Sequence, residues 1–251
     1  MPTEIENTVL AALILIAALL YSSVGHGGAS GYIAAMALMG ISPATMKPTA
    51  LVLNIFVSVI ATYKFYRVGA FSWRLFLPLV VTSIPCAYLG GMLTLPNHLF
   101  KPLIGLVLLY AAWQSFRTAN TYAQFSLRTA PLPLLMLAGA ILGLLSGLTG
   151  VGGGIFLSPL LLLFRWAETR VISGIAAAFI LVNSISGLLG VMSKGITLPA
   201  ALPYWALAAV IGGYIGAEYG SKRLTNPTIR KLLALVLVVA GIKMLATARI
   251  L

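Results

Sequence analysis

The chain has no aspartate and only four glutamates, Glu4, Glu6, Glu168 and Glu218. Carriers of Na⁺, K⁺ or divalent cations usually need intramembrane carboxylates or an array of oxygen ligands. So sparse an acidic set argues against that cargo. A single cysteine, Cys86, excludes an internal disulfide, and there is no clustered metal-ligand pattern. Charged residues make up 8% of the chain, against about 25% in soluble domains. There is no acidic or basic tail and no room for a soluble domain. The net charge of +12 does not point to nucleic acid, because the basic residues stand singly or in pairs between apolar segments, as in membrane proteins. The start, "MPTEIENTVL", is acidic and has no basic n-region, so no cleaved signal peptide is expected. Nothing calls for a cofactor or a metal ion.

What is present is grease. Of 251 residues, 60% are hydrophobic, and the mean hydropathy is +1.04. Apolar segments recur at 8–24, 28–40, 47–66, 75–95, 99–116, 132–148, 153–165, 171–193, 203–221 and 232–248. This pattern predicts an all-α polytopic membrane protein, one transmembrane domain over residues 1–251. Pro48, Pro102, Pro203 and Pro227 are expected at helix starts, where a missing N–H costs little. Pro85 falls inside a segment and is expected to kink it.

The chain also repeats itself. "GHGG" at 25–28 returns as "GVGG" at 150–153, about 125 residues on. "LVLNIFVS" (51–58) echoes "FILVNSIS" (179–186), "YLGG" (88–91) echoes "YIGA" (214–217), and "PNHLFKPL" (96–103) echoes "TNPTIRKL" (225–232). Four matches in one order indicate duplication, with repeat 1 over 8–117 and repeat 2 over 132–251. Half-length repeats with interrupted segments in corresponding places point to secondary transporters and to their binding site.

Length and charge suggest how the interrupted segments lie. As one helix, 8–40 would be about 50 Å long, too long for a core of roughly 30 Å. A re-entrant helical hairpin is expected instead. If both hairpins return to their own side, Lys64, Arg67, Arg74, Arg117, Arg128, Arg165, Arg170, Lys222, Arg223, Arg230 and Lys231 share one side, and Lys47, Lys101, Lys194, Lys243 and Arg249 share the other. That eleven-to-five split is a positive-inside bias, whereas single crossings would give about eight to eight. The reading is thus two inverted repeats, each a glycine-broken re-entrant hairpin followed by three transmembrane helices. Both termini are expected outside the cell membrane, and the glycine tips near the midplane.

Non-helical backbone at membrane depth is tolerated only where protein or a wet cavity satisfies it. Glycine permits the turn and the approach of a ligand to the backbone. The helices that restart after the tips present free N–H groups and a partial positive charge, which suits an anion. The candidate binding residues are therefore Ser23, Gly25, His26, Gly27, Gly28 and Ser30 in the first tip, and Thr149, Gly150, Gly152, Gly153 and Gly154 in the second. Asn54 with Ser58, and Asn183 with Ser186, add amide and hydroxyl groups on one face of each following helix. The plainer alternatives are close glycine packing for the tips and interhelical hydrogen bonding for the asparagines. His26 either contacts the anion, carries a coupled proton, or sits neutral on nearby backbone; its counterpart is Val151. Glu218 is read as an i,i+4 partner of Lys222. Trp166, Trp205, Tyr110, Tyr122 and Tyr204 are read as interface anchors.

"GLLSGLTGVGGGIFLSPLLL" (143–162), "YSSVGHGGASGYIAAMAL" (21–38) and the lone asparagines that follow resemble the TauE/SafE family of sulfite and organosulfur exporters, through both repeats. The first motif departs from the family pattern at His26 and at Ala29-Ser30. The resemblance implies an exporter of sulfite, sulfoacetate or other organosulfonates, thiosulfate or a related anion, working by alternating access. Other classes are a passive anion channel, a carrier of a non-sulfur carboxylate, and an intramembrane enzyme. Ser22 and Ser23 lie near His26, but no G-x-S-x-G elbow or carboxylate pair accompanies them. The exact anion, its coupling ion and the oligomeric state are not legible in the sequence.

Overall fold

The computed structural model describes residues 4–118, 128–195, 198–222, 237–239 and 241–246. Among them the chain is entirely helical: α1 (Glu4–Ser22), α2 (Ala29–Leu38), α3 (Pro43–Arg67), α4 (Trp73–Met92), α5 (Asn97–Thr118), α6 (Leu132–Thr149), α7 (Gly154–Leu163), α8 (Thr169–Met192) and α9 (Leu202–Lys222). Residues 237–239 and 241–246 are helical as well. Five helices, α1, α3, α4, α6 and α8, are long and apolar enough to cross a membrane. Large apolar side chains such as Leu77, Val81, Leu137, Ile141 and Leu207 stand exposed around the bundle, where hydrocarbon rather than water is the compatible solvent. The chain is a multi-pass membrane protein.

Helix starts follow local chemistry. α3 begins at Pro43, with Ser42 accepting from the N–H groups of Thr45 and Met46 at 3.0 Å. Pro48 consequently lies inside α3 rather than at its start, because Ser42-Pro43 supplies an earlier and better opening. Pro102 is likewise inside α5, and Pro78 joins Pro85 inside α4.

α3 and α8 pack against each other in the middle. α1 lies along α9, α4 lies along α6, α4 also meets α8, and α3 also meets α9. Glycines permit this closeness. On α6, a Cβ at Gly139, Gly143 or Gly147 would come within 2.1–2.3 Å of the carbonyl oxygens of Leu79, Ser83 and Ala87. On α9, one at Gly212, Gly216 or Gly220 would come within 1.8–2.2 Å of those of Leu15, Leu19 and Ser23. The four-residue steps match along both partners, so whole helix faces meet backbone to backbone, the small-residue mode of membrane packing.

The broken segments divide at the glycine motifs. α1 has 19 residues, about 28 Å at 1.5 Å per residue, and α6 has 18. α2 and α7 have 10 each, about 15 Å. Each unit is therefore a long helix of near-spanning length joined to a half-length helix. The sequence segments 8–24 and 28–40 correspond to α1 and α2, with residues 23–28 forming the connection between them.

Glu218 pairs with Lys222, as the spacing predicts, and also with Lys64 of α3. Lys64 lies over the ring of Tyr214 at 4.3 Å. Trp205 and Trp166 are not interface anchors. Trp205 is 1% exposed, within the core formed by α1, α2 and their neighbours, and Trp166 is 6% exposed with its ring stacked on Phe164 at 4.9 Å. The rotation of α9 turns Trp205 inward, and Trp166 is buried in the connection between α7 and α8. Tyr110 is half-buried and stacks on Phe156, whereas Tyr204 is exposed. Exposed Tyr66 and Trp73 close an aromatic cluster with Phe71 and Phe76 where α3 gives way to α4. Tyr122, Pro227, Arg223, Arg230, Lys231, Arg249, the Arg117 side chain and the 225–232 echo lie outside the described residues.

Two glycines on facing helices separate close approach from mere helix composition. Gly147→Ala places a methyl about where the Ala87 carbonyl already stands, whereas Gly187→Ala meets nothing nearer than 3.4 Å. In detergent, Gly147→Ala is expected to lower the unfolding temperature, with overpacking costing about 1–3 kcal/mol. Gly187→Ala is expected to leave it unchanged or raise it. Equal melting of the two variants would refute backbone contact between α4 and α6.

Candidate functional site

The two glycine breaks supply the only sharp turns inside the broken segments. Gly25 and Gly28 take φ of +75° and +100°, and Gly150, Gly152 and Gly153 take +77°, +82° and +78°. Side chains rarely adopt that region, so these positions demand glycine. α2 and α7 restart directly after Gly28 and Gly153. Among the described residues, no backbone acceptor takes the N–H of Gly27, Gly28, Ala29 or Ser30, nor that of Gly152, Gly153 or Gly154. These are the orphan donors of two helix N-termini.

The breaks converge on one asparagine. A Cβ on Gly27 would lie 2.5 Å from Asn54 Oδ1, and one on Gly152 would lie 2.7 Å from Asn54 Nδ2. The Asn54 amide thus fits between the two turns at the middle of α3. It is fully buried. Its Nδ2 donates long bonds to the Val151 carbonyl (3.4 Å) and to Ser184 Oγ (3.5 Å). Its Oδ1 is buried without a partner among the described residues. An unpaired buried acceptor costs about 1–3 kcal/mol, so this is a place where polar capacity is held in reserve.

Contacts on either side of Asn54 are reciprocal. Gly25 packs on the backbone of Ser173 in α8, and Gly150 packs on that of Lys47 in α3. The first break therefore reaches past the level of Asn54 toward the start of α8, and the second reaches past it toward the start of α3. Lys47 and Ser173 are 126 residues apart, the same spacing as the starts of α3 and α8. In that register Asn54 answers to Ile180, and Ile180 is the side chain opposite it. Its Cγ2 would meet a Cβ on Gly27 at 3.0 Å and on Gly152 at 2.8 Å.

The structure gathers some of the predicted residues and not others. Gly27, Gly152, Gly154 and Asn54 meet at Ile180 and Asn54. Gly28 abuts the ring of Tyr32, whose hydroxyl donates to the Gly27 carbonyl at 2.7 Å. Gly153 meets Phe179. Thr149 Oγ1 accepts from the Val151 N–H at 3.3 Å and donates to Leu145 O at 2.7 Å, which ties the second turn to α6. Ser23 donates to Leu20 O and abuts Gly220 of α9. Ser30 is buried in the first turn of α2. Ser58 bonds back to its own helix at Asn54 O. Asn183 Nδ2 does the same at Phe179 O, 2.8 Å away. Ser186 donates to Ile84 O of α4 at 2.6 Å and lines an open apolar groove between α4 and α8, away from the breaks.

His26 joins the two broken units. Its Nδ1 lies 3.1 Å from the Val24 carbonyl and its Nε2 lies 3.2 Å from Ser158 Oγ of α7. A carbonyl can only accept, so Nδ1 carries the proton in that bond, and Nε2 pairs with the Ser158 hydroxyl, which can donate or accept.

Ser158, Ser184 and Tyr32 went unnoticed in the sequence, and Lys47 reads there only as an orienting charge. Lys47 is 8% exposed, and its Nζ donates to the carbonyls of Gly90, Gly91 and Leu93, each at 3.1 Å. The register of 126 residues could have flagged Ser58 and Ser184 as counterparts, but the similarity of "LVLN" to "LVN" pairs the asparagines instead.

Comparison with known proteins places this architecture. Residues 10–244 match the family described as Sulfite exporter TauE/SafE. The "Probable membrane transporter protein y4hK" of Sinorhizobium fredii is 41% identical over 245 residues, covering 96% of this chain and 99% of that protein. The "Probable membrane transporter protein MJ0441" of Methanocaldococcus jannaschii is 25% identical over 201 residues, covering 75% of this chain and 74% of its own. The "Probable membrane transporter protein YjnA" of Bacillus subtilis is 25% identical over 248 residues, covering 88% and 92%. No solved structure matches. The match spans both glycine breaks and the helices that hold Asn54 between them: the chain belongs to the TauE/SafE family of membrane transporters, which are not enzymes.

Proposed function

We propose that the chain is an alternating-access exporter of small sulfur-containing anions such as sulfite, sulfoacetate or other organosulfonates, held between the two glycine breaks. One observation carries this reading: the Asn54 amide lies against Gly27 on one side and Gly152 on the other. Two helix N-termini with unpaired N–H groups open there, and a helix N-terminus favours anions. An anionic sulfonate or sulfite offers acceptor oxygens to these donors without a buried carboxylate to repel it. No cofactor or metal is needed for such binding.

The packing supports two inverted repeats, 8–117 and 132–251. Exchanging each helix for the one five places on turns the α1–α9 pair into α6–α4, and the α4–α8 pair into α9–α3. Both members of each exchange are among the main contacts. The polar contacts also respect the sidedness of the charge count. Lys64 and Lys222 both pair with Glu218, Arg170 bonds Ser221 O, and the Arg128 N–H bonds Arg165 O, all within the set assigned to the cytoplasm. Lys243 bonds Leu38 O within the set assigned outside. This favours an inner-membrane protein with both termini outside.

His26 is read as a structural link between the breaks, with its ring nitrogens facing the Val24 carbonyl and Ser158 Oγ. The anion is then drawn outward by an inside-negative potential, by about 2.3 kcal/mol per charge per 100 mV, and no coupled proton is required.

Counterflow in proteoliposomes tests the cargo against a panel of sulfite, sulfonates, thiosulfate and carboxylates. Saturable exchange of sulfur anions is expected, and linear, non-exchanging flux would point to a channel instead. Gly27→Leu and Gly152→Leu are expected to insert in the membrane but to abolish exchange, because each side chain would occupy the place of the Asn54 amide. Normal exchange by either variant would make that turn a packing contact only.

The asparagines give a sharper contrast. Asn54→Ala is expected to weaken anion binding by about 1–3 kcal/mol, whereas Asn183→Ala, which loses a bond to its own helix, leaves it nearly unchanged. Equal effects in a titration would overturn the assignment of the site to Asn54. Binding curves of the wild type and His26→Gln between about pH 5 and 8, the range in which histidine titrates, are expected to have the same pH dependence. A pH dependence lost in the variant would restore His26 as a charged or proton-carrying site residue.

A further inference from the structure

Lys47 is the one charged side chain buried among the described residues, and no carboxylate pairs with it. Taking an ammonium out of water is costly unless its donors are satisfied. All three N–H bonds of Lys47 go to the carbonyls of Gly90, Gly91 and Leu93 at the end of α4. Those are the orphan acceptors of a helix C-terminus, where the macrodipole is negative. The same stretch of α4 is where neighbouring helices converge: Gly147 of α6 meets the Ala87 carbonyl, Gly187 of α8 meets Gly91, and Gly190 meets the Tyr88 carbonyl. The Lys47 backbone meanwhile supports Gly150 of the second break. One residue therefore fastens the end of α4 to the start of α3 beside that break.

A matching arrangement stands at the other end of the bundle. Arg170, in the first turn of α8, donates Nη2 to the carbonyl of Ser221 at the end of α9, at 2.7 Å. The first break lies beside it: Ser23 abuts Gly220, and Gly25 abuts Ser173. Each fastening thus joins the start of a central helix to the C-terminus of the next helix, next to the break contributed by the other half. They differ in strength. Lys47 is buried with three bonds, whereas Arg170 is exposed, where a charged contact contributes less.

We infer that Lys47 and Arg170 are positioning residues that hold the two ends of the transport path shut: Lys47 closes the end beside Gly150, and Arg170 closes the opposite end beside Gly25. Both fastenings are made in this structure, which corresponds to an occluded arrangement with Asn54 sealed between them. Opening one end requires α4 or α9 to release its cation, so the cation sets the balance between states rather than the chemistry of the cargo. This rests on the alternating-access reading, not on the identity of the anion.

The test needs no anion. With Cys86→Ser as background, Val151→Cys places a thiol at the second break beside Asn54, where Val151 is 4% exposed. A membrane-impermeant maleimide is applied to vesicles of each orientation. Lys47→Met is expected to raise labelling from one face about tenfold, the population change that ~1.4 kcal/mol produces. Lys47→Arg, which keeps the charge and donors, is expected to label like the background. Arg170→Met is expected to raise labelling from the opposite face, by less. Background-level labelling of Lys47→Met, or an equal rise from both faces, would overturn the inference. If Lys47→Met yields no inserted protein, Arg170→Met decides: no face-specific rise overturns it. Because labelling is read without cargo, a wrong anion leaves this result intact, and a wrong pair of fastenings leaves counterflow intact.

Discussion

Backbone N–H groups that cannot reach water must find a partner, and this constraint organises the molecule. In a hydrocarbon setting an unpaired amide costs several kcal/mol, so chains cross as unbroken helices unless a break is useful. Here the break occurs twice, at 23–28 and 150–153, and each leaves the first amides of a half-length helix without backbone acceptors. Everything nearby serves to tolerate that exposure. Thr149 occupies the Val151 amide, the Tyr32 hydroxyl occupies the Gly27 carbonyl, and the Asn54 amide is inserted between the turns. What remains is two sets of helix N-terminal N–H groups on either side of Asn54, the feature on which the proposed anion site rests.

The breaks meet only because the helices around them approach so closely. Glycines on α6 and α9 lie directly against the carbonyls of α4 and α1, bringing long helices into backbone contact and leaving α3 and α8 together at the centre. A larger residue at any of these steps would push a whole helix outward and separate the turns from Asn54. The same economy explains the near absence of charge inside. Where a cation is buried, at Lys47, helix-end carbonyls satisfy it; where charges pair, at Lys64, Glu218 and Lys222, they do so near the ends of α3 and α9.

The duplicated halves did not remain equivalent at their meeting point. Asn54 faces Ile180, so one central helix contributes an amide and the other a branched hydrocarbon. His26 has Val151 as its counterpart, and its ring bonds Ser158 of the other half. The meeting point of two similar halves is thereby polar on one wall and apolar on the other. In the proposed function, that asymmetry would suit a ligand with a charged head and a small apolar remainder.

Composition and periodicity determined that the protein is an apolar helical bundle with two glycine-broken segments, because the cost of polar groups in hydrocarbon is written into every residue of a spanning helix. They also flagged Asn54 as a candidate, because its amide stands in an apolar stretch, and determined the Glu218–Lys222 pair, which needs only helical spacing. They located both breaks as well, after residues 24 and 148, within two residues of the ends of α1 and α6, because the glycines mark where a helix must stop. Tertiary structure decided the rest. Asn183 and Ser186 have the right chemistry and an attractive sequence match, yet a register of 126 rather than 129 residues turns them toward their own helix and toward α4. Trp166 and Trp205 are amphipathic, but the α7–α8 connection and the rotation of α9 bury them. Lys47 reads as one more loop charge until the end of α4 folds over it. In each case the side chain was legible and its partner was not, because the partner lies tens of residues away and is chosen by helix packing alone.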